Sequence, residues 1–472
     1  MLSWPLVCER SSRTKRLPFK KQTSPGESMS EQSIEGFVAA SLDDAEMTSY
    51  HWRVLSLIIA GFFFDLFDIG IFGGLVPDMI RTNFATAGDI AFIASATFLG
   101  LFIGSVGQGE LTDRFGRKTV YQANLLIYGF ATLACAAAPN PSVLALCRFV
   151  AGLGLGAEIP LAFAYAAEFV PKLSRGRVLA VLNLVGGNLS IPLAILSALA
   201  FRDILGWRGI FVAIGIAVLI VFLFRIGLPE SPRWLAERQR DKEALDILKR
   251  FGVTGQPVKM TSAKLQEYAD PIRTVFTKYT RRLLLLMAAS FCAFATTYVL
   301  LTWLPTLIGA RGFSITKSLT FTLVMTMAWP VSSIFLMCVI DRIGRIKIVV
   351  VSFIVAGLFA ILFANSSSEP MLLVVGFLMS FFVQNCTNTV CVLSGEVFPT
   401  AARASGCGLV FGAARIGAIL ASYSIVGILA YGASAAFVMI AALLGIGAIS
   451  TAMIGIEPKL LSLEEAAAVP AD

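Results

Sequence analysis

Asp65 and Asp68 stand three residues apart in the apolar run GFFFDLFDIGIFGG. On a helix that spacing puts both carboxylates on one face. Ionisable groups inside a run long enough to cross a membrane are costly, and they point to a function at the bundle interior. Like charges this close disfavour double ionisation, so one carboxyl can carry a proton. That is a requirement of proton coupling. The competing possibility is a carboxylate fixed in a structural ion pair. Arg148, Glu158 and Arg415 are also buried in apolar sequence. A guanidinium there makes a forked ligand for a carboxylate or phosphate. Arg415 therefore tilts the expected substrate toward an anion, unless it only neutralises Glu158 or Asp65.

Gln384, Asn385 and Asn388 cluster in another apolar run, where they can hydrogen-bond a substrate or bridge helices. Tyr298 and Trp303 can wall a site or serve packing and the lipid interface. Gly152, Gly154 and Gly156 are expected to let helices approach closely.

The elements that must position these residues are membrane helices. The chain is 57% hydrophobic and 14% charged, against about 25% charged in soluble domains. Twelve apolar segments run at about 52–77, 88–108, 118–138, 142–167, 177–200, 207–228, 283–308, 319–340, 347–364, 370–393, 405–429 and 433–456. With the N-terminus in the cytoplasm, the inner loops hold 22 Lys and Arg and the outer loops five. That bias predicts cytoplasmic N- and C-termini. The net charge of +8 is read as topology, not as a nucleic-acid signal. Cys135, Cys147, Cys292, Cys338, Cys386, Cys391 and Cys407 lie in or beside apolar runs, as small buried side chains rather than a disulfide framework. His51 is the single histidine. No metal-ligand cluster, nucleotide-binding loop or catalytic constellation is present, so no cofactor, metal or enzyme activity is expected.

Two short signatures recur, and every recurrence has the same offset along the chain. Asp113, Arg114 and Arg117 return as Asp341, Arg342 and Arg345; Glu168, Pro171 and Arg175 return as Glu396, Pro399 and Arg403. A shared offset marks a duplicated half, and six helices per half make the two repeats parallel. The duplicated charges are expected to form a cytoplasmic gate, bridging when the inner face is closed and breaking as it opens. The simpler alternative is positive-inside topology. Asp65, Asp68, Arg148, Glu158 and Arg415 break the offset, since Ala293, Thr296, Gly376, Cys386 and Gly187 stand at the equivalent places. Offset-breaking polar residues are the better candidates for substrate and proton.

These residues also carry a family resemblance. Gly109 to Lys118 (GELTDRFGRK) resembles the loop motif between helices 2 and 3 of the major facilitator superfamily. Arg148 to Gly156 (RFVAGLGLG) resembles its helix 4 motif, and Pro229 to Leu235 (PESPRWL) the end of helix 6 in the sugar-porter-like branch. Glu168, Pro171, Arg175 and Gly176, with Glu396, Pro399, Thr400, Arg403 and Gly406, also match that branch. Helices 1 and 4 look most like bacterial metabolite:proton symporters, among which aromatic-acid, nicotinate and phosphate carriers share these features. The resemblance covers about 52–457. It implies a rocker-switch carrier with one central site and coupling to protons. In resembling sugar:proton symporters the matching helix 1 Asp and helix 4 Arg form the proton switch. Asp68 and Arg148 lie about 13 and about 10 Å from the outer helix ends at 1.5 Å per residue, so they can meet.

The expected architecture is an all-α membrane protein of twelve transmembrane helices. Its parts are a cytoplasmic tail (1–51), a six-helix bundle (52–228), a cytoplasmic linker (229–282), a second six-helix bundle (283–456) and a cytoplasmic tail (457–472). Residues 1–50 are expected to be unstructured, with a basic run from Arg10 to Lys21 that can touch anionic lipid, unless the natural start is Met29. An amphipathic surface helix is expected over 235–250. The expected function is proton-coupled symport of a small organic anion by a monomer in a bacterial-type inner membrane. Asp65, Asp68, Arg148 and Glu158 would handle the proton; Arg415, Gln384, Asn385, Asn388 and Tyr298 the substrate. The alternatives are a phosphate or a sugar or polyol symporter of the same fold, and a transporter-like sensor that binds without translocating.

Overall fold

The computed structural model describes residues 34–156, 158–253, 271–366, 368–398 and 403–455. The basic run Arg10 to Lys21, Met29, the linker stretch 254–270, Pro399, Thr400 and the tail 457–472 lie outside the described residues, as do the side chains of Asp113, Asp341 and Arg403.

Helices account for nearly all of what is described, and no strand occurs among the described residues. A short α1 (Ile34–Asp43) precedes α2 (Ser49–Arg81), α3 (Ala87–Phe115) and α4 (Arg117–Ala136). The fourth span is α5 (Pro141–Leu155) plus α6 (Glu158–Phe169). The fifth is α7 (Lys172–Leu182), a π-helical turn (Asn183–Asn188) and the start of α8 (Ser190–Arg225). Gly206 (φ 62°) divides α8, and its second part is the sixth span. The linker carries α9 (Pro232–Glu237), α10 (Asp241–Arg250) and α11 (Pro271–Lys278). Then follow α12 (Thr280–Gly309), α13 (Ile315–Thr326) with α14 (Ala328–Ile343), α15 (Arg345–Asn365), α16 (Glu369–Val397), α17 (Arg403–Leu429) and α18 (Ala433–Ala452). These make twelve spans in two halves of six.

Three of the expected spans are interrupted, and the sequence holds the reason. Proline has no N–H for the carbonyl four residues back. Pro160, Pro192 and Pro330 therefore deprive Gly156, Asn188 and Thr326 of their helical donors. The fourth span leaves the α-helix at Gly156, the fifth winds into the π turn ending at Asn188, and the eighth breaks at Met327. The fourth span, expected at about 142–167, is thus made of α5 and α6.

Two further expectations change. Residues 34–43 are helical rather than unstructured, because α1 has a surface to bury: Val38 and Leu42 pack fully against Trp234, Leu235, Ala244 and Leu248 of α9 and α10. The single amphipathic helix over 235–250 is two short helices, separated near Gln239, whose φ is 58°.

The linker lies at the face of the bundle where α2 and α12 begin; His51 at the start of α2 sets its ring 4.6 Å from that of Phe251, just after α10. This face is called the linker face and its opposite the far face. At the linker face the duplication survives in the backbone. Gly116 (φ 93°) and Gly344 (φ 108°), related by the same offset, each close one helix and open the next. Those angles favour glycine at both places.

The halves pack α2 on α12, α3 on α17 and α8 on α13. On the far side Arg202 Nη2 donates to Thr316 Oγ1 (3.0 Å) across the seam. Between α2 and α12, Gly73 lies against the Leu301 backbone.

Candidate functional site

The first half concentrates buried charge. Arg148 on α5 donates from Nη1 to Asp68 Oδ2 on α2 at 2.5 Å, and both side chains are buried. The guanidinium also lies 5.2 Å from the Phe72 ring centroid. The expected meeting of Asp68 and Arg148 is thus present. Asp65, one turn away on α2, is buried, and among the described residues neither of its carboxylate oxygens has a hydrogen-bond partner.

Glu158, at the start of α6, is held by Arg225 at the end of α8: Nη1 donates to Oε1 at 2.7 Å. Arg225 also donates from Nη2 to the Tyr121 hydroxyl (2.8 Å) and the Ile58 carbonyl (3.1 Å), and from Nε to the Leu57 carbonyl (2.8 Å). It rests 3.9 Å from the Tyr121 ring centroid and fills the space a side chain on Gly61 would take. One guanidinium therefore ties α2, α4 and α6 to α8. Arg225 was not among the sequence-derived candidates. The offset could have found it, because Met453 stands at its equivalent place.

The second half supplies Arg415 on α17. Its Nη1 donates to the Tyr298 hydroxyl of α12, and both residues are more than nine-tenths buried. Among the described residues no carboxylate pairs with Arg415, so Glu158 and Asp65 are not its partners. The Tyr298 ring packs on Phe98 of α3 with centroids 4.5 Å apart, across the seam.

Gln384 and Asn388 of α16 join a polar knot that crosses the seam. Gln384 Nε2 donates to Asn188 Oδ1 (2.6 Å) in the first half and to Asn388 Oδ1 (3.2 Å). Asn188 Nδ2 (2.6 Å) and Asn388 Nδ2 (3.1 Å) both donate to Ser333 Oγ of α14. Asn188 ends the π turn and was also not foreseen; Ile416 is its offset equivalent. Asn385 takes no part. It is fully buried, and Thr389 donates to its backbone carbonyl (2.7 Å). Trp303 is buried in the core.

At the linker face the duplicated charges pair within each half. Arg117 Nε reaches Glu168 Oε1 at 3.4 Å, and in the second half the equivalent Arg345 Nε reaches Glu396 Oε2 at 2.9 Å. Arg175 instead donates to Asp43 Oδ1 of α1 (2.5 Å), which Arg233 Nη2 also reaches (2.9 Å). Arg114 and Arg342 are exposed, the former over the Phe115 ring at 5.4 Å.

Nothing in this arrangement resembles a hydrolytic or transfer centre. Buried charge pairs fill the first half, a further buried arginine stands beside the seam, and partly buried charge pairs repeat at the linker face. Residues 45–469 match the family described as "Sugar (and other) transporter". The niacin transporter NiaP of Acinetobacter baylyi is 30% identical over 390 residues, covering 81% of this chain and 88% of that protein. The 4-hydroxybenzoate transporter PcaK of the same organism is 29% identical over 424 residues, covering 88% and 92%. A gallate transporter of Pseudomonas putida is 28% identical over 387 residues, covering 81% and 86%. Among solved structures, the inward open conformation of the xylose transporter XylE from E. coli superposes with a TM-score of 0.70 at 16% identity, covering 88% of this chain and 99% of that one.

Proposed function

The chain belongs to the sugar (and other) transporter family, and we propose that it is a proton-coupled symporter of a small organic anion, an aromatic or other carboxylate. It is a multi-pass membrane transporter with the major facilitator fold. One observation carries the anion: Arg415 is buried beside the seam with a neutral hydroxyl as its partner. A guanidinium so placed is undercompensated, and a carboxylate satisfies it through two parallel hydrogen bonds. The names of the relatives, transporters of niacin, 4-hydroxybenzoate and gallate, support the same class.

The proton side of the reading rests on the first half. Protonating Asp68 removes the charge that holds Arg148 and loosens the state in which they are paired. Asp65, with both oxygens unpartnered among the described residues, is a second place for a proton, and Glu158 with Arg225 a second charge pair. Gln384, Asn388 and Asn385 remain candidates for the substrate's polar groups. Alternating access would open the linker face as the clamps Arg117–Glu168 and Arg345–Glu396 part. The linker face and both termini would lie in the cytoplasm of a bacterial-type inner membrane, and the carrier would work as a monomer.

Proteoliposomes with an imposed inward proton gradient test this. Uptake of labelled nicotinate, 4-hydroxybenzoate or gallate should exceed the level without a gradient, and a protonophore should abolish the excess. Gradient-driven uptake of phosphate or xylose alone would replace the substrate class. Saturable binding without any uptake would make the protein a sensor.

A further inference from the structure

We propose that the Tyr298 hydroxyl is a placeholder for the substrate's carboxylate on Arg415, and that displacing it loosens the seam between the halves at Phe98. This rests on the anion reading above and goes beyond it by giving Tyr298 a role opposite to that of a substrate ligand.

Three observations lead here. Arg415 Nη1 donates to the Tyr298 hydroxyl, and both residues are more than nine-tenths buried. A buried cation with no partner is costly, and a hydroxyl is a weak substitute for a carboxylate. The Arg415 guanidinium also lies 5.8 Å from the centroid of the Tyr298 ring. Finally, the same ring is the far wall of a contact between the halves, 4.5 Å from Phe98 of α3. Tyr298 thus touches the cation with one end and the opposite half with its face.

An arriving carboxylate takes Arg415 by the stronger, forked pairing. The Tyr298 hydroxyl then loses its only described partner among side chains, and the ring is no longer pinned against Phe98. Loading the carrier and easing the seam become one event. Without an anion, Arg415 keeps Tyr298 in place and the halves stay joined there, which limits empty turnover.

The sign of one change tests it. Tyr298→Phe keeps the ring and removes the competitor for Arg415. Its KM for 4-hydroxybenzoate or nicotinate in proteoliposomes should fall by about 5-fold, the scale of one hydrogen bond given up before binding. Phe98→Leu loosens the seam without touching Arg415, so it should alter the maximal rate and leave KM within about 2-fold. A raised KM in Tyr298→Phe would make Tyr298 a substrate ligand, and an unchanged KM would show no competition; either overturns the placeholder while leaving anion symport standing. No carboxylate uptake by the unaltered protein would overturn both. If Tyr298→Phe fails to fold, 3-fluorotyrosine at position 298 gives the readout: its fluorine resonance should shift on adding substrate, and an unmoved resonance overturns the proposal.

Discussion

Gly73 and Leu301 occupy equivalent places in the two halves, related by the repeat offset, and they meet. Pro305 has no N–H to give the Leu301 carbonyl, four residues back, and Pro77 stands in the same relation to Gly73. A tight backbone contact of α2 with α12 thus lies where the duplication places a proline-relieved turn in each half. A methyl on Gly73 would stand 3.0 Å from the Leu301 carbonyl carbon and 3.1 Å from Thr302 Cα. Those are backbone atoms and cannot swing aside. Gly73→Ala should hold the far face open. Alkylation of a cysteine placed near this contact should be several-fold faster than in the Gly73 protein, and net transport should fall about 10-fold or more. Unchanged labelling would remove this contact from the closing step.

Asp68→Asn keeps the shape of the pair with Arg148 and removes its charge. Proton-driven accumulation is expected to be lost, while exchange of internal for external substrate survives in part. Accumulation ratios and counterflow, measured on the same vesicles, separate the two. Full accumulation would exclude Asp68 from coupling.

The Glu158–Arg225 pair makes a different prediction, because its energy lies in what a broken pair leaves behind. Arg225→Met strands the Glu158 carboxylate, and Glu158→Gln leaves the cation short of charge. Removing one partner of a buried pair costs about 3–5 kcal/mol. Each single change should lower the thermal midpoint in detergent, with Arg225→Met the worse, since Arg225 also serves the Leu57 and Ile58 carbonyls and Tyr121. The double change should recover part of the loss. Strict additivity would show that the two do not act as a pair.

The clamps at the linker face keep only 15–24% of their side-chain surface exposed, so breaking one costs more than breaking a surface ion pair and less than breaking a fully buried one. Glu168→Gln and Glu396→Gln should each lower the melting midpoint, by less than either single change at Glu158–Arg225. Both should also shift the carrier toward the linker-open state, and in the same direction, because the clamps are repeats of one another. Labelling from the linker side reads this. Opposite effects would break the equivalence.

Much of this was legible in the sequence. The offset separates clamps from buried charges, and helix depth allows Asp68 to meet Arg148, the pair that the family resemblance implies. Arg225 escaped attention because it sits at the end of its span, where a basic residue is ordinary topology, although it breaks the offset as plainly as Glu158 does. Asn188 escaped for another reason: its reach to Ser333 and Gln384 depends on the π turn, which turns the helix face. The breaks in the fourth, fifth and eighth spans could have been foreseen from Pro160, Pro192 and Pro330, but Pro77 and Pro305 sit inside helices that continue. A missing donor permits a break; neighbouring helices decide whether it happens. Which carboxylate claims which arginine is a matter of tertiary distance, and composition says nothing about it.

The docking of α1 has a practical side. Its apolar anchor is small, and the rest of its hold is Asp43 shared between Arg175 and Arg233, all three about one-third exposed. Charges so exposed are screened within about 8 Å at physiological ionic strength. Added salt therefore loosens how firmly α1 sits on the linker. Vesicles assayed in dilute buffer and at cellular ionic strength would present differently fastened linker faces, and rates taken from one should not be carried to the other.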